Sequence, residues 1–106
     1  MTSASGTVGA AESNGERSVI TASDYLNKLT GEQIEYECRR RLEAGCKELV
    51  VDFSKTELVN SVGISILLGV IDVAAANGAK VMFSDVKQET VELFDMLGLT
   101  RHVNII

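Results

Sequence analysis

The chain has 106 residues, a formal net charge of −5 and a hydrophobic fraction of 45%. This length suits one small domain with a single core. The acidic balance argues against nucleic acid as the main partner, because polyanion binding needs a basic surface. No apolar run reaches the ~20 residues that cross a bilayer, so we expect no direct membrane insertion.

The N-terminal segment, residues 1–16, is small, polar and aperiodic. It predicts a flexible tail in front of a domain that spans residues 17–106. A weak strand is predicted at 17–21. Thr30 and Gln33 then match a capping box, which predicts that the first helix starts there.

The two cysteines, Cys38 and Cys46, are accompanied by one distant histidine, His102. A structural zinc site uses about four such ligands in close pairs, so we predict no metal. Cys38 shares a predicted helix face with Ile34 and Leu42, which indicates a small core residue. Reduced thiols are consistent with a cytoplasmic protein.

The strongest strand signal is at residues 47–53, where consecutive apolar residues suggest a strand covered on both faces. Asp52 ends this strand, at a position where α/β proteins often place functional groups. It fits equally well as the residue that forms a turn with Ser54. Apolar residues at helical spacing predict a second helix over residues 63–77.

The C-terminal part continues the alternation with a strand predicted at 80–84. Asp85 and Gln88 suggest a capped third helix, which Gly98 would end. Residues 101–106 alternate enough to predict a closing strand. Strands that alternate with helices predict an α/β fold with a mainly parallel sheet.

A search for catalytic groups finds no constellation. Neither a G-x-G-x-x-G nor a G-x-x-x-x-G-K-[ST] phosphate loop occurs, and no G-x-S-x-G surrounds a serine. His102 stands alone near the C-terminus, and the paired carboxylates lie on polar helix faces. We therefore predict no catalytic residues, no cofactor and no enzymatic activity.

Two polar residues, Asn60 and Ser61, stand between the apolar runs of the middle strand and the second helix. Both are favoured helix caps, and a cap contributes ~1 kcal/mol over alanine. A serine at a helix N-terminus is also a good place for a phosphate, which the helix dipole and free N–H groups accommodate. The residues alone leave both interpretations open.

Over about residues 17–106 the chain resembles the STAS domain of bacterial anti-sigma-factor antagonists, and the stretches 23–34 and 48–99 carry the resemblance. The family has a strand that ends in an aspartate and a small residue, D-S-x-G-[LI] at a helix start, and a final v-x-x-l-f-d-x-x-G-L helix. The matching positions are Asp52 to Ser54, Asn60-Ser61-Val62-Gly63-Ile64, Gly78, and 91–99. The resemblance implies a STAS-type α/β fold, with a central mixed, mainly parallel sheet of four to five strands and helices packed mostly on one side.

The resemblance also implies a function by partner switching. In this family the unphosphorylated antagonist binds an anti-sigma factor that is also a serine kinase with a histidine-kinase-like ATPase fold. Phosphorylation of the motif serine, here Ser61, releases the complex, and a PPM-type serine phosphatase restores the binding form. ATP and metal belong to those partners. The implied partner-binding residues are Asn27, Asn60, Ser61, Val62, Gly63 and Ile64, with Asp52 and Ser54 as possible support.

The chain departs from the family pattern at two positions. Asn60 precedes the serine where the family usually has aspartate, and Asn27 stands where aspartate is often found before the first helix. Asparagine keeps the size and hydrogen-bonding reach but loses the charge. An alternative from the same family is a non-enzymatic STAS scaffold of a stress-sensing assembly, or an accessory subunit of a lipid-transport complex.

Overall fold

The computed structural model describes residues 9–13 and 17–106 of the chain. The order of strands and helices in this part confirms the predicted alternation. The elements are β1 (Gly9–Ser13), β2 (Arg17–Thr21), β3 (Tyr25–Leu26), α1 (Lys28–Glu43), β4 (Glu48–Asp52), β5 (Leu58–Val59), α2 (Ser61–Ala76), β6 (Lys80–Ser84), α3 (Gln88–Met96), a 3₁₀ helix (Leu99–Arg101) and β7 (Asn104–Ile105).

The main sheet has the strand order β1-β2-β4-β6-β7. The pairs β2–β4, β4–β6 and β6–β7 are parallel, whereas β1 pairs antiparallel with β2. The mixed, mainly parallel sheet is therefore confirmed.

Strand β1 falls within residues 1–16, so the prediction of a tail throughout that segment needs correction at 9–13. Its composition of small residues at a sheet edge carries little of the apolar periodicity that identifies strands. Residues 1–8 and 14–16 lie outside the described part.

The helices cover one face of this sheet. Leu49, Val51 and Phe83 join the main core with residues of all three α-helices. Val50 and Met82 are also buried, yet they lie outside that core. Because successive strand residues point to opposite faces, these two side chains belong to the other side of the sheet. The predicted packing of helices mostly on one side is confirmed.

Three phenylalanines fix α3 to the end of the sheet. The ring centroid of Phe53 lies 5.0 Å from that of Phe83 and 5.6 Å from that of Phe94. Phe83 and Phe94 are 5.4 Å apart, and all three side chains are buried. Aromatic pairs at this separation and in edge or tilted orientations add stability beyond their buried area.

The starts of α1 and α3 differ from the predicted ones. Helix α1 begins at Lys28 and its cap is Asn27, whereas the capping box was expected to begin at Thr30. Helix α3 begins at Gln88 without a side-chain cap. Asp85, the predicted cap, lies before this start in a left-handed conformation with φ of 55°. Aspartate tolerates that region better than most residues, so it serves the turn after β6 instead.

The C-terminal segment also differs in detail from the predicted strand at 101–106. Residues Leu99–Arg101 form a 3₁₀ helix, and only Asn104–Ile105 pair with β6. The bond from the amide of His102 to the carbonyl of Leu99, at 3.0 Å, closes this turn. Leu99 is fully buried, and its burial holds the turn against the core.

A second, two-stranded parallel sheet pairs β3 with β5 and was not predicted. Each strand has only two residues, which is too short to show a periodic pattern. Among the residues that the structure describes, no helix combines the length and the apolar character needed to span a membrane.

Candidate functional site

The small β3–β5 sheet places the starts of α1 and α2 side by side. Tyr25 pairs with Leu58 and Leu26 with Val59, and each strand leads directly into its helix. The amide of Asn60 donates to the carbonyl of Leu26 at 2.8 Å, which extends the pairing to the first residue before α2. Since the strands are parallel, both helices begin at the same edge and their N-termini point the same way.

Asn60 is the N-cap of α2. Its side-chain oxygen accepts a hydrogen bond from the amide of Gly63 at 2.9 Å, and its own backbone is extended. The capping interpretation of the sequence therefore applies to Asn60 and not to Ser61. Ser61 is the first residue of the helix and is exposed. Its hydroxyl is thus left available at the helix start.

Asn27 holds the equivalent position on α1. Its Oδ1 accepts from the amide of Thr30 at 3.0 Å, and the Thr30 hydroxyl lies 3.0 Å from the amide of Asn27 and accepts from it. The Thr30 hydroxyl donates in turn to the carbonyl of Tyr25 at 2.6 Å. Both positions where asparagine replaces the family's aspartate are consequently helix caps. The cap needs an oxygen acceptor, which either residue type supplies.

The first turn of α2 packs against the end of β3. A Cβ atom at Gly63 would lie 2.8 Å from Cγ of Leu26 and 2.9 Å from its carbonyl oxygen. A Cβ atom at Gly31 would lie 3.4 Å from Cα of Gly63. Helices α1 and α2 therefore approach each other through glycines, and this close contact brings the two helix starts together.

Six exposed residues flank the two caps, and we call all of them except Lys28 the helix-start surface. They lie within two positions of Asn27 or Asn60 along the chain. The exposed fractions are 39% for Tyr25, 64% for Leu29, 62% for Leu58 and 47% for Val62. The members are Tyr25, Leu29, Leu58, Ser61 and Val62. A serine hydroxyl thus stands among four large apolar or aromatic side chains, an arrangement typical of a protein-binding surface.

Two of the residues implied as partner-binding have a different position. Gly63 is buried against Leu26, and Ile64 is 3% exposed within the core. Neither offers surface to a partner in this structure. Their contribution is to hold the first turn of α2 in place, which sets the position of Ser61 and Val62.

Asp52 and Ser54 form the turn that was one of the two interpretations of Asp52. The amide of Ser54 donates to Oδ1 of Asp52 at 2.8 Å. This hydrogen bond from the second residue on is an Asx turn, and it ends β4. Thr56 continues the segment, with its hydroxyl donating to the carbonyl of Ser23 at 2.7 Å in a buried position. The loop between β4 and β5 is thereby tied to the loop before β3.

The electrostatics of the two helix starts favour negative charge. Neither α1 nor α2 has an acidic residue in its first turn, so the positive ends of both dipoles face outward without a carboxylate. Glu57, next to this surface, pairs with Lys87 at 2.7 Å. Lys28 adds a positive charge as the first residue of α1.

The thiols lie away from this surface, and they are buried. Cys38 is 1% exposed, beside Ile34 and Leu42 on the inner face of α1, as predicted. Burial, with a smaller effect from Cys46, raises the pKa of the Cys38 thiol to about 12. Such a thiol stays protonated and unreactive near neutral pH.

The sequence singled out Asn27, Asn60, Ser61 and Val62, and the structure brings these residues to one surface. Sequence reasoning missed Tyr25, Leu29 and Leu58. Tyr25 and Leu58 are a pair of the β3–β5 sheet, whose two-residue strands give no pattern that shows which side chain faces outward, and Leu29 is the second residue of α1. A large apolar residue directly after a charged one, such as Leu58 after Glu57, was the one available signal.

Comparison with known proteins identifies the family to which this architecture belongs. A mainly parallel sheet with helices on one face and paired helix starts at one edge defines an α/β domain of the STAS type. The model of the STAS domain matches residues 10–106. The chain therefore belongs to the STAS domain family. A sequence search of curated proteins returned no significant match.

Solved structures with the same fold include anti-sigma factor antagonists. The antagonist SpoIIAA in its unphosphorylated form superposes with a TM-score of 0.79 at 16% identity, over 94% of this chain and 88% of that one. An antagonist from Mycobacterium paratuberculosis gives a TM-score of 0.76 at 20% identity, over 98% and 89%. RsbS from Moorella thermoacetica gives 0.77 at 19% identity, over 93% and 85%. These likenesses establish the fold.

Proposed function

We propose that this chain is an anti-sigma-factor antagonist that works by partner switching. In its unphosphorylated form it binds an anti-sigma factor that is also a serine kinase, and phosphorylation of Ser61 releases it. The observation that supports this most is the exposed Ser61 at the start of α2, among the apolar side chains of the helix-start surface. A solved structure of the phosphorylated form of SpoIIAA, with a TM-score of 0.74, shows that the fold accommodates phosphorylation in that protein.

The proposed switch works through charge and hydration. A phosphate on Ser61 adds about −1.5 to −2 charges at neutral pH. Leu58 and Val62, which a partner would cover, are about half exposed or more in the free domain. Burying a phosphate dianion among such apolar groups costs much of its hydration, so the complex would dissociate.

The same phosphate is compatible with the fold of the free domain. Ser61 is the first residue of α2, where backbone N–H groups have no partner within the helix. The positive end of the helix dipole also lies there. Phosphorylation is therefore expected to alter the surface while α2 keeps its start.

The chemistry in this proposal comes from the partners. The kinase transfers the γ-phosphoryl group of ATP to Oγ of Ser61, its own base takes the hydroxyl proton, and ADP leaves. A PPM-type phosphatase, with its metal ions, hydrolyses the phosphoserine. The antagonist itself acts as a non-enzymatic, cytoplasmic regulator whose partners are proteins.

The test is to identify the kinase that co-purifies with the tagged protein from its own cells and to incubate the two with ATP. Mass spectrometry should place the phosphate on Ser61, and Ser61→Ala should remain unmodified while still binding. Ser65 is the matched control position, since it is exposed one turn further along α2 with its hydroxyl bonded to the carbonyl of Ser61 at 3.1 Å. Phosphate on Ser65 alone, or on neither residue, would refute the proposal.

A further inference from the structure

The hydroxyl of Tyr25 accepts a hydrogen bond from the side chain of Asn60, the residue before Ser61. Oδ1 of Asn60 accepts from the amide of Gly63, so the orientation of the Asn60 amide is set by the backbone. Its Nδ2 atom consequently faces Tyr25 and donates to the Tyr25 hydroxyl oxygen at 3.3 Å. Within the part of the chain that the structure describes, that hydroxyl donates to no protein group. The Tyr25 hydroxyl therefore has a proton available beside the side chain of Asn60, the N-cap of α2.

The backbone of Tyr25 is fixed by several hydrogen bonds, which position its side chain at the edge of the small sheet. Its carbonyl accepts from the hydroxyl of Ser23 at 2.9 Å and from that of Thr30 at 2.6 Å. Its Cα pairs with Leu58 in the small sheet. The backbone of Tyr25 is thus bonded to both neighbouring segments, while its ring stays 39% exposed.

The free donors at the start of α2 lie close to the same place. The amides of Gly63 and Ile64 are both occupied by Asn60, the first by its side chain and the second by its carbonyl at 3.2 Å. The amides of Ser61 and Val62, as the first two of the helix, have no partner within it. These two amides and the Tyr25 hydroxyl, which contacts the Asn60 side chain directly before Ser61, are donors that Asn60 leaves free at the start of α2.

We propose that Tyr25 is a positioning residue for the phosphate on Ser61, to which its hydroxyl donates a hydrogen bond. This inference rests on the proposed function, which makes Ser61 the modified residue. Tyr25 lies outside the serine motif and joins it through the β3–β5 pairing. The hydrogen bond favours the dianionic phosphate and holds it over the start of α2.

The same geometry explains what the amide of Asn60 does that a carboxylate would not. With one oxygen bound to the Gly63 amide, a carboxylate at position 60 would present its second oxygen to Tyr25 and accept a hydrogen bond from the phenolic hydroxyl. Asn60 instead donates to Tyr25, so the phenolic proton stays free for the phosphate. The neutral amide also adds no charge that would repel the dianion.

The experiment measures the second pKa of the phosphoserine by ³¹P NMR, in protein that carries phosphoserine installed at position 61 during translation. An exposed phosphoserine titrates near a pKa of about 6. Loss of one donor disfavours the dianion, so Tyr25→Phe should raise this pKa by about half a unit. Asn60→Asp should raise it by more, because it adds a like charge and accepts the hydrogen bond that the Tyr25 hydroxyl would otherwise donate to the phosphate.

The double variant Tyr25→Phe/Asn60→Asp tests the coupling between the two residues. With a carboxylate at position 60, the Tyr25 hydroxyl already donates its hydrogen bond to that carboxylate. Tyr25→Phe should then raise the phosphoserine pKa by less than about half of the shift that it causes in the parent protein. Nearby charges from Asp24, Lys28 and the Glu57–Lys87 pair are common to all variants, so their effect cancels in the comparison. Tyr25→Phe keeps the ring, and an unchanged ¹H–¹⁵N spectrum away from the site would confirm its fold.

An unchanged phosphoserine pKa in Tyr25→Phe would overturn the inference. An equal effect of Tyr25→Phe with either residue at position 60 would overturn the assigned role of the Asn60 amide. Both outcomes are separate from failure of the proposed function, since the phosphate is installed without a kinase. If the kinase instead left Ser61 unmodified while the pKa shift was observed, the proposed function would fail and the hydrogen bond would stand.

Discussion

Gly63 lies directly against the main chain of Leu26. A Cβ atom at position 63 would stand 2.9 Å from the carbonyl oxygen and 3.0 Å from the carbonyl carbon of Leu26. Contacts this short with backbone atoms cannot be relieved by a rotamer change. The first turn of α2, and with it Ser61, therefore holds its position because residue 63 has no side chain.

Gly63→Ala should accordingly destabilise the domain. Overpacking in a close contact costs about 1–3 kcal/mol, which exceeds the ~1 kcal/mol that alanine gains over glycine in a helix. The matched control is Gly69→Ala in the same helix, where a Cβ atom would meet nothing within 4 Å. Urea denaturation should show a lower free energy of unfolding for the first variant and an equal or higher one for the second. Equal stability of both variants would contradict the close contact.

The two asparagine caps should contribute to stability in the same way. Removing the Oδ1 acceptor by Asn60→Ala or Asn27→Ala should lower the free energy of unfolding by about 1 kcal/mol each. Asn60→Asp and Asn27→Asp retain an acceptor and place a negative charge at a helix N-terminus, so their stability should be close to that of the parent. Chemical denaturation compares the four variants. An aspartate variant as unstable as its alanine counterpart would argue against the capping role.

The apolar part of the helix-start surface should carry much of the affinity for the proposed kinase partner. Leu58→Ala and Val62→Ala should each weaken binding about tenfold, as a loss of about 1–2 kcal/mol from a central contact implies. The control is Met96→Ala on α3, which removes an apolar side chain that is 78% exposed elsewhere on the chain. Isothermal titration calorimetry with the partner gives the comparison. If Met96→Ala weakened binding as much as the other two, the partner would be docking on another surface.

Burial of Cys38 leads to a pH-dependent prediction. The folded-state pKa of about 12 lies above the ordinary thiol pKa of 9.0. The folded protein therefore keeps a proton that the unfolded chain releases above pH 9. The contribution of this protonated thiol to the free energy of unfolding is fully present below pH 9 and is lost between pH 9 and 12. The free energy of unfolding should fall less steeply with pH in that window for Cys38→Val than for the parent. At pH 8, iodoacetamide should label Cys38 only after unfolding, and rapid labelling of the native protein would contradict its burial.

The alternation of strands and helices could be predicted because the main elements carry clear apolar periodicity. Residues 47–53 and 80–84 coincide with β4 and β6 to within one residue at each end. The first residue of each helix was harder to predict, since several residues near each start can act as a cap. Thr30 does take part in a capping box, but it is the N3 residue of a box whose N-cap is Asn27. Its hydroxyl also donates to the carbonyl of Tyr25, and no capping pattern in the sequence indicates this bond.

Only those residues of the candidate site that are close to Ser61 in the sequence could be predicted. The serine motif pointed to Ser61 and its neighbours, whereas Tyr25 reaches them through strand pairing across more than thirty positions, as its contact with Asn60 shows. The burial of Gly63 likewise depends on Leu26, which belongs to a different element. Contacts of this kind depend on how the strands pair. Strands of two residues are too short for their pairing to be predicted from the sequence.

The central claim is that the state of Ser61 decides whether the partner binds. The direct measurement is the dissociation constant of the cognate kinase for the unphosphorylated protein and for the same protein carrying phosphoserine at position 61. We expect the phosphorylated form to bind at least a hundredfold more weakly, since burial of an uncompensated charge costs about 3 kcal/mol or more. Equal affinities for the two forms, with both correctly folded, would contradict partner switching through Ser61.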